Sequence, residues 1–166
     1  MKRSLAIGMA VILAAATPAA ARDALGVFGK WGAFRDVEKG RCFAIGRPSH
    51  LARPMGDWRP FASGATWPKN KVRNQVHIRL SRMRKPDTPL TLSIDGRRFT
   101  LVTAGPEAWA PDARTDAAIV AAMRSARTMI ASGRDRDGNR IVDTYPLQGA
   151  ATAIDAAALG CAKAMN

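Results

Sequence analysis

The stretch "PLTLSIDGRRFTLV", residues 89–102, decides the fold class. Leu90, Leu92 and Ile94 fall on alternate positions, and Phe99 and Leu101 do the same after Asp95-Gly96. Alternation with a period of two puts the apolar side chains on one face of a strand. Asp-Gly between two such strands predicts a two-residue hairpin, because both turn residues take positive φ. The segment "NQVHIRLS", residues 74–81, has the same period. There Val76, Ile78 and Leu80 form the buried set, and His77, Arg79 and Ser81 form the wet one.

Upstream, "RCFAIGRP" (41–48) predicts a strand around Cys42 to Ile45, stopped by Gly46 and Pro48. "DALGVFGKWGAFRD" (23–36) predicts a short edge strand near Trp31 and Phe34. Residues 46–75 are rich in Pro, Gly and Arg and read as loops with one short strand near Phe61. Downstream, the period changes. Ile119, Met123 and Ala126 repeat at helical spacing, with Thr115 as N-cap and Asp116 in the first turn, so a helix is expected from 116 to about 127. Ala150, Ala153, Ile154, Ala157, Ala158 and Cys161 share one face of a second, C-terminal helix and point Cys161 inward. These elements give a mainly antiparallel β architecture with two short helices.

Between the helices, "DRDGNR" (135–140) resembles a calcium loop at first sight. Counted from Asp135, however, glycine stands at position 4 rather than 6. Position 12 is Pro146 rather than a bidentate glutamate. Arg136 and Arg140 lie inside the would-be cage. Strand-like sequence on both sides makes Asp137-Gly138 a second hairpin tip, of the same kind as Asp95-Gly96.

The first 21 residues read as a secretory leader. Lys2 and Arg3 precede the apolar run Leu5–Ala16, and Ala19-Ala20-Ala21 offers a small-residue cleavage site. The run is too short to span a bilayer, so no transmembrane segment is expected after cleavage. Residues 22–166 then form a single domain. The whole chain carries 26 basic and 13 acidic residues, a formal charge of +13. Losing Lys2 and Arg3 leaves 24 basic against 13 acidic, or +11. Such a charge bears on partners rather than on fold. It favours anionic lipid, lipopolysaccharide or an anionic glycan, with an envelope protein as a further partner. Export argues against nucleic acid. Cys42 and Cys161 are the only cysteines. In an exported chain an even count favours a disulfide, with two separately buried thiols as the alternative.

The order of these pieces resembles the invasion-associated locus B family of exported alphaproteobacterial envelope proteins. The resemblance rests on the leader, Trp31 followed by Cys42, the strand "VHIRLS" and the hairpin "LSIDGRRFTL". It also rests on the helix and strand near Met123 and Met129, and on "YPLQGAATAIDAAALGC" with Leu147, Gly149, Ala153 and Cys161. It implies an immunoglobulin-like antiparallel β-sandwich, with an α+β arrangement as the alternative. It also implies a place in the periplasm or at the outer membrane, and a role in association rather than catalysis.

The residues offer little to an enzyme. His50 and His77 are the only histidines. A Cys–His hydrolase would need a free thiol, no Gly-x-Ser-x-Gly elbow occurs, and no cluster has zinc-ligand spacing. Neither a cofactor nor a metal is expected. A periplasmic hydrolase acting on an envelope substrate is the alternative class. The basic residues are the better candidates. Arg73, Arg79, Arg82, Arg84 and Lys85 lie along one strand and its exit. Arg47, Arg53, Arg59, Lys69 and Lys71 precede it, interleaved with Trp58, Phe61 and Trp67. Guanidinium groups beside aromatic rings suit anionic sugars or phosphates. The anionic-ligand candidates are therefore Arg73, Arg79, Arg82, Arg84, Lys85, Trp58 and Trp67. The competing picture is a solvated basic face with tryptophans tucked into the core.

Overall fold

In the computed structural model, which describes residues 22–49 and 58–163, the central hairpin forms as its sequence dictates. Strands β6 (Leu90–Ile94) and β7 (Arg97–Ala104) pair antiparallel, Ile94 opposite Arg97. Asp95 and Gly96 take φ of 47° and 77°. The expected leader, His50 and Arg53 lie outside the described residues.

Eight further strands complete the sheet: β1 (Asp23–Phe28), β2 (Trp31–Asp36), β3 (Arg41–Gly46), β4 (Phe61–Trp67), β5 (Val72–Arg79), β8 (Glu107–Trp109), β9 (Thr128–Arg134) and β10 (Arg140–Pro146). The fold is mainly β. Ten strands run in the order β1-β2-β3-β4-β5-β8-β7-β6-β9-β10, and every pair is antiparallel. β7 is the corner. Its first half pairs with β6, while Val102–Ala104 pair with β8. Two sandwich-like halves, β1–β5 with β8 and β6 with β9 and β10, thus meet on one strand and share one core.

The helices α1 (Ala113–Met123) and α2 (Ala150–Lys163) cover the inner face. α2 lies across β1–β4 and α1 across β5. The strands beneath α2 carry small inward residues: Ala33, Ala44, Ala62 and Gly64. Against them α2 turns the face formed by Ala150, Ala153, Ile154, Ala157 and Cys161, all buried. Small residues on both surfaces let the helix sit close, and Ile154 reaches Gly64. Cys161 is bonded to Cys42 of β3, Cα to Cα 5.7 Å, so the bridge ties helix to sheet.

Polar bonds fasten the halves together. The Trp31 indole donates to the Pro146 carbonyl at 2.8 Å, and the Ser49 amide donates to Thr144. The buried Asp143 carboxylate accepts from the Ser81 amide at 2.8 Å and from its hydroxyl at 2.5 Å. Within the first half, Asp116 of α1 ties the helix to β5 by accepting from the Val76 amide at 2.7 Å.

Several expectations change. The Trp31 strand is not an edge, because residues 23–28 pair outside it. Residues 61–67, expected as a short strand among loops, form a seven-residue strand in the middle of the first half. β8 had no sequence signal. α1 starts at Ala113 rather than 116, because Asp112 caps it by accepting from the Thr115 amide at 2.7 Å. Ser81, expected on the wet face, is fully buried on Asp143.

The DRDGNR hairpin forms, with β9 and β10 on either side, but its turn differs from the first. Gly138 has a positive φ and Asp137 does not. The Gly138 amide donates to the Asp135 carbonyl and the Asp135 amide to the Asn139 carbonyl. That is a type I turn followed by a glycine bulge. The Asp135 carboxylate caps it, accepting from the Asp137 and Asn139 amides and from the Arg82 guanidinium at 2.7 Å. Burial pushes this carboxyl up, but those donors together hold it below its usual value.

Candidate functional site: the outer face of the first sheet half

Strand register fixes what the outer face presents. Because Cys42, Ala44 and Gly46 point inward, Arg41, Phe43 and Ile45 point outward. Pairing extends this across the half. Val27, Gly32, Ile45, Ser63, His77 and Trp109 form one cross-strand row. Phe34, Phe43, Ala65 and Gln75 form a second, and Phe61, Arg79 and Glu107 a third.

One end of this face is a closed polar–aromatic cluster. His77 stacks on Trp109 with centroids 5.0 Å apart and meets Phe61 edge-on at 5.1 Å. The Arg79 guanidinium lies over both Trp58 and Phe61, 5.2 Å from each ring. Glu107 accepts from Arg79 Nε and from His77 Nε2, each at 2.6 Å. Burial is the largest influence on His77 and lowers its pKa. Glu107 opposes this, and Arg79 and Arg41 reinforce it. The imidazole is neutral at pH 7, and its Nε2 carries the proton that Glu107 accepts. The Ser63 hydroxyl, on the neighbouring strand, donates to the His77 carbonyl at 3.4 Å rather than to the ring. Both cysteines are in the bridge. A Cys–His hydrolase therefore has no thiol here, and His77 is engaged by a carboxylate rather than by a nucleophile.

The other end is open. A groove of about 710 Å3 runs over β1–β4, floored by Gly32, Phe34, Phe43, Ile45 and Phe61. Phe34 stacks on Phe43 at 5.6 Å. Gly32 has no side chain, and the Phe34 ring lies over its place, 2.7 Å from where a Cβ would stand. Val27 stands 77% exposed at the edge. Arg22, Lys30, Arg47 and Arg59 also line it, and among the described lining residues none is a carboxylate. Beyond the groove, Arg41 lies over Phe43 at 4.8 Å and Trp67 at 5.0 Å, with Asp36 beside it.

The candidates chosen from sequence do not gather in one place. Arg79 and Trp58 meet in the closed cluster, and Trp67 flanks Arg41 on the same face. Trp58 also donates to the Leu80 carbonyl at 2.6 Å, so it braces the end of β5. Arg82 binds Asp135, and Arg84 donates to the Thr88 and Lys85 carbonyls, so both shape the crossing from β5 to β6. Lys85 is exposed in that crossing. Arg73 lies apart, near the C-terminal end of α2.

Sequence reasoning did not single out Phe34, Phe43, Ile45, Lys30 or Glu107. A signal for Phe43 and Ile45 was present. "CFAI" in β3 is apolar on both faces of the strand, and an apolar outer face must be covered or must bind something.

Among the described residues no group of three or more His, Cys, Asp or Glu side chains is placed to hold a metal ion. No helix among them is long and apolar enough to cross a membrane. No family model matches the chain, and neither a curated protein nor a solved structure matches it.

Proposed function

We propose that this chain is a non-enzymatic, exported cell-envelope protein of the invasion-associated locus B type, and that it binds an anionic envelope component through its basic surface. One observation carries the reading. The open groove on the outer sheet face gathers Arg22, Lys30, Arg47 and Arg59, and among its described lining residues none is a carboxylate, although Arg22 also pairs with Asp36 beside the groove. In a chain with twice as many basic as acidic residues, cations are expected everywhere. Their convergence on an apolar depression is what points to a ligand. The leader-like N-terminus and the Cys42–Cys161 bridge support an oxidising destination such as the periplasm. The family reading rests on the resemblance of the sequence alone.

The test is co-sedimentation of residues 22–166 with phosphatidylglycerol-containing vesicles and with pure phosphatidylcholine vesicles, across a salt series. Binding to the anionic vesicles alone, falling steeply between roughly 0.05 and 0.2 M salt, is the expected result. The double variant Lys30→Glu/Arg47→Glu should remove most of it. Equal binding to both vesicle types, or no binding at low salt, refutes the reading.

A further inference from the structure

The chemistry of the groove is narrower than its charge. Its lining comprises Arg22, Lys30, Arg47 and Arg59, with Val27, Trp31, Phe34, Phe43, Ile45, Pro60, Phe61 and three glycines. The four cations can only donate hydrogen bonds, and the Trp31 indole N–H is already given to Pro146. None of the lining side chains can accept. Every hydroxyl of a polyhydroxyl ligand brings an O–H donor along with its acceptor oxygen, and against phenylalanine and isoleucine no described lining side chain can receive that donor. Each unsatisfied donor costs about 1–3 kcal/mol. The lining therefore selects against a sugar body and for a ligand that is apolar along its length and purely accepting at one end.

The layout matches such a ligand. Phe34, Phe43, Ile45 and Phe61 form a continuous apolar floor across β2, β3 and β4, while Lys30 and Arg47 are exposed at the rim. Among the described residues neither Lys30 nor Arg47 has a carboxylate partner. The volume, about 710 Å3, lies within the usual range for a small-molecule site.

We propose that the groove holds one anionic lipid, its acyl chain along the Phe34–Phe43–Ile45–Phe61 floor and its phosphate or carboxylate head against Lys30 and Arg47. This inference rests on the anionic-surface reading and names the ligand class for it. It differs from adsorption of a basic protein on an anionic surface, because the chain enters the fold and the floor contributes to affinity.

The experiment is calorimetric titration of residues 22–166 with three soluble probes: dodecyl phosphate below its micelle-forming concentration, glucose 1-phosphate and inorganic phosphate. Dodecyl phosphate should bind one per chain, with the other two at least about a hundredfold weaker, since each buried methylene contributes about 0.8 kcal/mol. Ile45→Trp fills the floor from an outward strand position and should weaken dodecyl phosphate by at least about tenfold. Ile45→Thr keeps the β-branched shape while removing apolar surface, and should weaken it in the same direction. Glucose 1-phosphate binding as tightly as dodecyl phosphate overturns the proposal. So does dodecyl phosphate binding that is unchanged in both Ile45 variants. If vesicle binding depends on Lys30 and Arg47 while dodecyl phosphate fails to bind, the groove inference falls and the basic-surface function stands. If the anionic vesicles are not bound at all, the function itself falls.

Discussion

Replacing Ser81 by alanine tests how the halves are joined. Ser81 and Asp143 are both fully buried, and the serine gives the carboxylate two bonds, from its amide and its hydroxyl. Ser81→Ala removes only the hydroxyl, so the cavity is small and the lost bond dominates. A hydrogen bond to a charged group is worth about 1.5–3 kcal/mol, against about 0.5–1.5 for a neutral pair. Burial is the largest influence on Asp143 and raises its pKa above the usual 3.8, while Ser81 and Arg82 pull it back. A raised folded pKa means that this group favours folding most below its unfolded pKa. That contribution is lost as the pH rises through the folded value. Removing the hydroxyl takes away one of the groups that lower the pKa, so the folded value moves further up and the variant suffers more at high pH. Urea unfolding at pH 7 should therefore show a loss of about 1.5–3 kcal/mol. The difference from wild type should shrink as the pH is lowered through the raised folded value and Asp143 becomes protonated in both proteins. A difference that stays constant or grows on acidification refutes the assignment of Asp143 as a buried carboxylate held by Ser81. So does a loss below about 0.5 kcal/mol at pH 7.

Two further outcomes follow from the packing of α2. The Cys42–Cys161 bridge closes a loop with a sequence separation of 119, which corresponds to about 5 kcal/mol in the chain-entropy model. Denaturant unfolding of the reduced protein, or of Cys42→Ala/Cys161→Ala, should lose most of that, and a loss below about 2 kcal/mol would count against the model. Gly138 and Gly149 share a φ of 86°, but a Cβ at Gly138 meets nothing within 4 Å, whereas at Gly149 it would lie 1.8 Å from the Phe28 carbonyl oxygen. Gly138→Ala should cost about 1–2 kcal/mol from backbone conformation alone. Gly149→Ala should cost clearly more, because β1 or the start of α2 must move. Equal melting temperatures for the two variants would mean that the close approach of Phe28 to Gly149 is not maintained in solution.

Much of the fold was legible because it rests on short-range signals. The 90–101 hairpin combines strict alternation with a turn that Asp-Gly suits well, and its two φ values are positive together. The C-terminal helix announced its buried face through alanine spacing, and the inward Cys161 followed from that face. β4 was harder to place. "FASGATW" lacks the β-branched, apolar content of a central strand. It is a strand because β3 and β5 flank it, and its inward Ala62 and Gly64 are small because α2 lies over them. Its composition records a long-range contact, which local propensity cannot register. The start of α1 lies upstream of the expected cap, Thr115. Asp112, which the sequence reading did not consider, takes that role because its side chain accepts from the Thr115 amide.

The site was less legible, since charge along a chain says nothing about where charge remains unpaired. Of the cations chosen from sequence, Arg79 is matched by Glu107 and Arg82 by Asp135. Elsewhere Arg35 is matched by Asp23 and Arg124 by Asp155. With 13 carboxylates against 26 basic side chains, the excess must surface somewhere, and pairing in three dimensions decides where. Along the strand exit the acids are close at hand, so those arginines stabilise loops and turns. Around the groove the described residues next to Lys30 and Arg47 are phenylalanine, isoleucine and glycine rather than carboxylates. A low-dielectric floor beside Lys30 and Arg47, which have no carboxylate partner among the described residues, concentrates the field at that end of the sheet, and this is the ground on which the anionic-ligand proposal stands.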